Sequence, residues 1–433
     1  MGSTMGHRAC GRQTLLMVLA LLMLLSCSAM PPASAGGSTY YVATNGNDSN
    51  PGTISQPWRT IQKAASTLVA GDTAYVRAGT YNERVTPQRS GSAENPIAYR
   101  AYPGETVTID GKDSLSDAFY LSGLSYLIID GFIMSNWDLF GMRVLNSHHI
   151  EIANNEIKSP NATYSGIWGD HSQYCNIHHN KVHDCPENGI AMSHESDYNQ
   201  IHGNFVYNNG FKQQQYWAGI ALEVNSNYNQ IFNNLVYNNK HAGLLTNSQY
   251  NYWYHNTVYS NPNTSGGGGG IYLCNWEDST MDQNTFRDNI IVATGSNEYT
   301  VYIQEAVGRN NSFDSNIHWH TSREARVHWG DESLTFSRWR STYGQETNGF
   351  SLNPLFAGGI PTDPSYYRLQ SSSPAIDAGV NVGITADYDG TPRPQGGGFD
   401  IGAFEQMRTP APTPTHTLPL TQSVGYLPAI TVL

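Results

Sequence analysis

Charge is scarce in this chain. Only 13% of its 433 residues are Asp, Glu, Lys or Arg, and 23 basic residues face 35 acidic ones, for a formal net charge of −12. Phosphate neutralisation needs clustered Lys and Arg, so a nucleic-acid partner is excluded. Cysteine is scarce too. Of five, Cys10 and Cys27 lie near the N-terminus, leaving Cys175, Cys185 and Cys274. An odd count cannot pair fully, and no CxxC spacing supports a thiolate zinc site. Buried single thiols are expected, with a Cys175–Cys185 bridge as the alternative. Long apolar runs are missing apart from Leu15 to Leu25, which follows His7, Arg8 and Arg12. That run is too short to span a bilayer and reads as a signal-peptide core. Cleavage after Ala33-Ser34-Ala35 is expected, with lipidation at Cys27 as the other route. Either way the protein is secreted or held at the cell surface. What is plentiful is Gly (42), Tyr (27) and Trp (9), a composition that excludes disorder.

The middle of the chain repeats. Gly followed by an apolar residue recurs at Gly141, Gly166, Gly189, Gly219, Gly243 and Gly270, at intervals of 25, 23, 30, 24 and 27 residues. An Asn-x-apolar element follows each, at Asn155, Asn180, Asn204, Asn234, Asn256 and Asn284. The Gly-to-Asn offset stays at 13 to 15, so insertions belong between the Asn element and the next Gly. Runs such as Ile220-Ala221-Leu222-Glu223-Val224 alternate with the period of a strand, and Gly and Asn suit corners of positive φ. One such repeat cannot bury its apolar stripe alone, whereas stacked repeats can. Coils stacked about 4.8 Å apart would let Asn amides ladder from coil to coil. The fold class is therefore all-β, a single-stranded right-handed parallel β-helix.

These repeats resemble the pectate-lyase-like, NosD-like β-helix superfamily. The stretch from Tyr40 through Pro57-Trp58-Arg59-Thr60-Ile61 to Arg77-Ala78-Gly79-Thr80-Tyr81 resembles the opening of bacterial β-helix carbohydrate-active proteins. The resemblance implies a short capping helix at about residues 58–69. Ser373-Pro374-Ala375-Ile376-Asp377-Ala378-Gly379, Asp387-Tyr388-Asp389-Gly390 and Asp400-Ile401-Gly402-Ala403-Phe404-Glu405 resemble a choice-of-anchor segment. The expected organisation is a signal peptide over 1–35, cap and first coils over 36–117, and the repeat body over 118–345. An anchor-like segment over 346–407 and a Pro/Thr linker with an apolar tail over 408–433 follow.

The resemblance implies a polysaccharide partner lying along one sheet, with a monomer and cell-envelope attachment expected. The active-site motifs of polygalacturonases and of the main pectate-lyase families are missing, so candidates come from repeat geometry. Asp170 and Glu223 share the position four after Gly, two coils apart; Ser193 holds it in the coil between, with His194 and Glu195 beside it. A carboxylate pair facing one groove suits glycosidic-bond hydrolysis. His194 and His171 are acid/base candidates because imidazole titrates near neutrality. Trp168, His171, Tyr216 and Trp217 are candidates for sugar binding. The alternative is a polysaccharide lyase. Its base would be Lys212, in the inserted segment before Gly219, or else Arg143, Lys181 or Arg287. Oxygen ligands for Ca²⁺ would come from Asp170, Glu195 and Asp197, or from Glu277, Asp278 and Asp282. Histidine spacing supports no zinc site and no other cofactor is implied. A non-catalytic glycan-binding or surface scaffold protein is the third reading.

Overall fold

The computed structural model describes residues 36–159, 161–212, 217–262, 268–275, 280–304 and 310–407. The expected signal peptide, Cys27 and the tail beyond 407 lie outside the described residues. Each coil visits three sheets in turn, of 11, 10 and 10 strands. In one coil these are His148–Ala153 (first sheet), Glu156–Lys158 (second) and Ile167–Asp170 (third). All pairings within the sheets are parallel except the last of the third sheet, Arg326–Gly330 with Glu332–Thr335. The right-handed parallel β-helix read from the repeat is the observed architecture.

The glycine column is real. Ile167 pairs with Ile190, Ile190 with Ile220, Ile220 with Leu244 and Leu244 with Ile271, so the preceding glycines stack. The reason differs from the expected one. These glycines do not adopt positive φ; they sit where no Cβ fits. A Cβ on Gly219 would lie 2.6 Å from Val236 Cγ1 and 2.9 Å from the Gly243 carbonyl oxygen. Left-handed corners lie elsewhere, at other Gly and Asn residues such as Gly131, Gly203, Asn154 and Asn233, and also at larger residues such as His171, His194 and Tyr198.

Inward-facing Ile167, Ile190, Met192, Ile220 and Leu222 join one apolar core running the length of the helix. Asn155, Asn180, Asn204, Asn234 and Asn256 form a buried ladder in which each amide oxygen accepts from the preceding Asn. The next rung is Asn289, not Asn284. Asn284 belongs to a second ladder with Asn199, Asn229, Asn251 and Asn311. The last repeat carries its extra residues between Gly270 and the Asn, so the constant offset fails there. Cys175, Cys185 and Cys274 are buried and unpaired, so no Cys175–Cys185 bridge forms.

Both ends are covered. Helix α1 (Ile61–Thr67) is capped by Thr60, which accepts from the Lys63 N–H, and buries Ile61, Ala64 and Ala65. At the far end helix α2 (Phe336–Tyr343) buries Phe336 and Trp339. Trp339 packs edge-on to Phe313 and tilted against Trp329, a cap that the sequence reading did not foresee.

Residues 346–407 fold back along the outer face of the second sheet. Tyr367, Ala403 and Phe404 pack on Phe205, Tyr207 and Leu235. The Ala403 N–H donates to Thr257 Oγ1 (3.0 Å), and Asn233 Nδ2 donates to the Ala386 carbonyl (2.7 Å). At this seam buried Asp288 accepts from the Val380 N–H at 3.1 Å. Burial, opposed by that bond and by Arg393 and Arg287, pushes its carboxyl up to about 8. Buried His255 lies 3.7 Å away and is held neutral by burial. A raised carboxyl stabilises below its unfolded pKa and loses that contribution as pH climbs through the folded one. The difference in thermal stability between Asp288→Asn and wild type should therefore grow from about pH 4 to pH 8 and then level off. The slope should be on the order of 1 kcal/mol per pH unit, read by thermal unfolding across that range. A pH-independent difference would contradict the assignment.

Candidate functional site

Alternation along the third sheet turns one residue in two outward. Tyr120 pairs with Arg143, Arg143 with Trp168, Trp168 with Ala191 and Ala191 with Ala221. These residues form an outer column. Trp168 stacks on Phe140 (5.2 Å between ring centres), which stacks on Tyr164 (4.9 Å). Farther along, Ala191, Ala221, Leu245 and Tyr272 form a buried apolar patch.

Asp170 ends its strand in register with Ser193. Its Oδ1 lies 3.0 Å from Nδ1 of both His171 and His194. The two imidazoles stack at 5.8 Å, with their planes 6° apart. Both histidines have positive φ, 48° and 47°, an uncommon backbone state for such side chains. Ser193 Oγ lies 3.0 Å from the same His194 Nδ1. A serine–histidine–aspartate relay needs two different ring nitrogens, so this is not an acyl-transfer triad. With both Nδ1 atoms turned to Asp170, the Nε2 atoms are not engaged by that carboxylate.

Beside Trp168, Asp117 is fully buried between Arg143 (2.9 Å) and Arg84 (3.4 Å). Both guanidinium groups flank the Tyr120 ring, at 4.4 and 4.7 Å from its centre. One carboxylate between two arginines leaves a positive charge on this face.

The other expected residues are placed as follows. The Glu223 N–H donates to the Met192 carbonyl, so its backbone lies beside that coil as expected. Its buried carboxylate accepts from Asn188 Nδ2 (3.3 Å), at the opening end of the neighbouring strand. Asp170 faces the closing end. The two carboxylates share a column but turn apart. Glu195 is exposed on the turn after His194. Lys212 donates to the carbonyls of Ala162 (2.8 Å) and Thr163 (3.0 Å), clipping two turns together. Trp217 is half-buried before the Ala218–Leu222 strand, and Tyr216 lies outside the described residues. Glu187, which the sequence reading missed, is pushed up to about 7 by burial, with Lys212 opposing. Its only signal was its place before Asn188 and Gly189.

Calcium ligation does not fit the first expected set. Asp170 is taken up by two imidazoles, and Asp197 accepts from the Asn227 N–H at 2.7 Å. Glu277 and Asp278 lie outside the described residues. Among the described residues no group of three or more His, Cys, Asp or Glu is arranged to hold a metal ion. No helix among them is long and apolar enough to cross a membrane.

Residues 40–209 match the family described as Pel9A-like, right handed beta helix region. The chain is 33% identical over 141 residues to the uncharacterized protein YwoF of Bacillus subtilis, covering 29% of this chain and 30% of that protein. It is 44% identical over 75 residues to pectate lyase PEL9 of Emericella nidulans, covering 17% and 18%. The chain thus spans less than a third of the length of these curated relatives. The crystal structure of pectate lyase Pel9A superposes with a TM-score of 0.53 at 17% identity, covering 86% of this chain and 97% of that one. The fold is that of the pectate-lyase-like β-helices.

Proposed function

We propose that this protein is a carbohydrate-active enzyme that cleaves an acidic polysaccharide by elimination on the outer face of its third sheet. The observation that carries the reading is Asp170 holding two imidazoles beside an aromatic and arginine-lined strip. Similarity to a protein named pectate lyase PEL9 supports it. In this reading Arg143 and Arg84 receive a uronate carboxylate, since guanidinium matches carboxylate geometry. Trp168 and Phe140 carry the apolar faces of the sugars. An imidazole Nε2, with its ring fixed through Nδ1 by Asp170, takes the proton from C5 next to the carboxylate; the C4–O bond breaks as the C4=C5 double bond forms, and the departing oxygen takes a proton from solvent. Glu223 and Lys212 support the fold around the site, through Asn188 and the 162–163 turn, and take no part in the chemistry. An exported protein working outside the cell remains part of the proposal.

A second reading, hydrolysis with Asp170 and Glu223 as the acidic pair, is favoured by their shared column. Purified protein incubated with polygalacturonate, alginate, xylan and glucan separates the two. Elimination gives unsaturated ends that absorb in the ultraviolet, while hydrolysis gives reducing ends alone. We expect absorbing product from a uronate polymer. Reducing ends without absorbance would support the second reading, and neither signal on any polymer would overturn both. Arg143→Ala should raise KM for a uronate polymer about tenfold or more, because losing a charge-assisted contact costs about 1.5–3 kcal/mol. An unchanged KM would remove Arg143 from the site.

A further inference from the structure

A file of aromatic rings, most of them exposed, runs along the first sheet, on the turns that lead into it or at the start of its strands. Tyr126, His149, Tyr174, Tyr198, Tyr228 and Tyr250 follow one another, one per coil. From His149 onward the ring centres are 5.2, 5.1, 5.2 and 5.2 Å apart. Tyr174, Tyr198, Tyr228 and Tyr250 are 49%, 46%, 41% and 38% exposed, although large aromatic rings are usually buried. All six have positive φ, between 54° and 60°. Asn or Gly would meet that backbone at lower cost. Offset stacking returns part of the cost, but stacking alone does not require exposed phenols.

The neighbouring outward positions extend the surface. Asn176, Gln200, Gln230 and Tyr252 stand in one register column, and His178, His202, Phe232 and Tyr254 in the next. His178, His202 and Phe232 stack at 5.1 and 4.6 Å. Burial holds His202 neutral at ordinary pH. None of these eight positions is Asp, Glu, Lys or Arg. The result is a strip of rings, amides and phenol hydroxyls whose period is one coil.

We infer that this face is a second carbohydrate-binding surface, for a neutral, fully extended β-1,4-linked polysaccharide lying parallel to the helix axis. The sugar-to-sugar step of such a chain matches the ring spacing, so in the coils of Tyr174, Tyr198 and Tyr228 each sugar meets one phenol and one amide. An acidic polymer would find no Lys or Arg among these eight positions, Arg287 following Tyr254 one coil beyond, which separates this stretch from the arginine-lined strip of the proposed active site.

The test is depletion of the full chain from solution by insoluble cellulose and insoluble mannan, with calcium polygalacturonate gel as the acidic comparison. Tyr198→Asn/Tyr228→Asn keeps residues that tolerate the left-handed backbone, and Tyr198→Phe/Tyr228→Phe keeps the rings. Thermal unfolding checks that both fold. We expect wild type to bind a neutral polymer, the Asn pair to bind at least tenfold more weakly, and the Phe pair to fall between. Asp170→Asn should bind as wild type does, so failure of the proposed activity and failure of this site are told apart. Undiminished binding by the Asn pair would overturn the inference. So would no binding to either neutral polymer, loss of acidic-gel binding in the Asn pair, or a concentration-dependent dimer abolished by the Asn pair without glycan binding.

Discussion

Asp170→Asn is expected to lower turnover of whichever polymer the wild type cleaves by about 10²–10⁴-fold, the usual worth of positioned acid–base catalysis. The reason lies in one oxygen. Asp170 Oδ1 lies 3.0 Å from both His171 Nδ1 and His194 Nδ1. An amide at that place offers a weaker acceptor and no charge, so the rings lose the partner that fixes their tautomer. His171→Ala and His194→Ala separate the two imidazoles; the one acting as base should lose as much as Asp170→Asn. Glu223→Gln is expected to leave turnover nearly unchanged and to lower thermal stability, since its carboxylate is buried against Asn188. Full activity in Asp170→Asn would remove this residue from the chemistry. A collapse of turnover in Glu223→Gln with an unchanged fold would favour the paired-carboxylate reading.

The second large effect concerns the buried amides. Asn204→Ala should destabilise the protein by about 3–5 kcal/mol, because a buried polar group left unpaired costs about 1–3 kcal/mol. Asn204 Oδ1 accepts from both the backbone N–H and Nδ2 of Asn180, at 3.0 and 3.1 Å. Its own Nδ2 donates to the Ile177 carbonyl at 2.9 Å. Removing the side chain strands donors on one coil and an acceptor on another. Gln200→Ala, at an exposed position on the same coil, should cost no more than about 0.5 kcal/mol. Chemical denaturation of the two variants against wild type measures the difference. Equal, small losses would mean that the ladder contributes little.

The repeat was legible because it obeys local rules. Six glycines and the first five asparagines mark positions where the coil leaves no choice: no room for a Cβ, or a buried amide that must be paired. The ladder through Asn199, Asn229 and Asn251 was less legible, because an Asn near a turn looks the same whether it is solvated or stacked. Asn284 was assigned to the wrong ladder for that reason. The direction of a long side chain was not readable at all. Glu223 lies in the expected column, yet its carboxylate turns to Asn188. Lys212, read as a base, is held by carbonyls 49 and 50 residues earlier. Docking of residues 346–407 rests on contacts such as Asn233 to Ala386, 153 positions apart. No local pattern announces such a pair. The histidines around Asp170 were partly foreseen as acid/base candidates, but their convergence on one oxygen depends on the register of two coils.

That register is the claim on which the site rests, and pairing thiols across it is the most direct measurement. Gln200 and Gln230 are adjacent and exposed on neighbouring coils, in the same 30-residue step that brings Glu223 beside Ser193. Neighbouring strands lie about 4.8 Å apart, within the span of a disulfide. Gln200→Cys with Gln230→Cys should close a bridge under mild oxidation, seen as a faster-migrating band that reductant reverses. Gln200→Cys with Tyr252→Cys, two coils apart, should not. Bridging in the second pair but not the first would contradict the stacking of the Ser193 coil on the Glu223 coil, and Asn176→Cys with Gln200→Cys applies the same test to the coils that bring Asp170 beside Ser193 and His194.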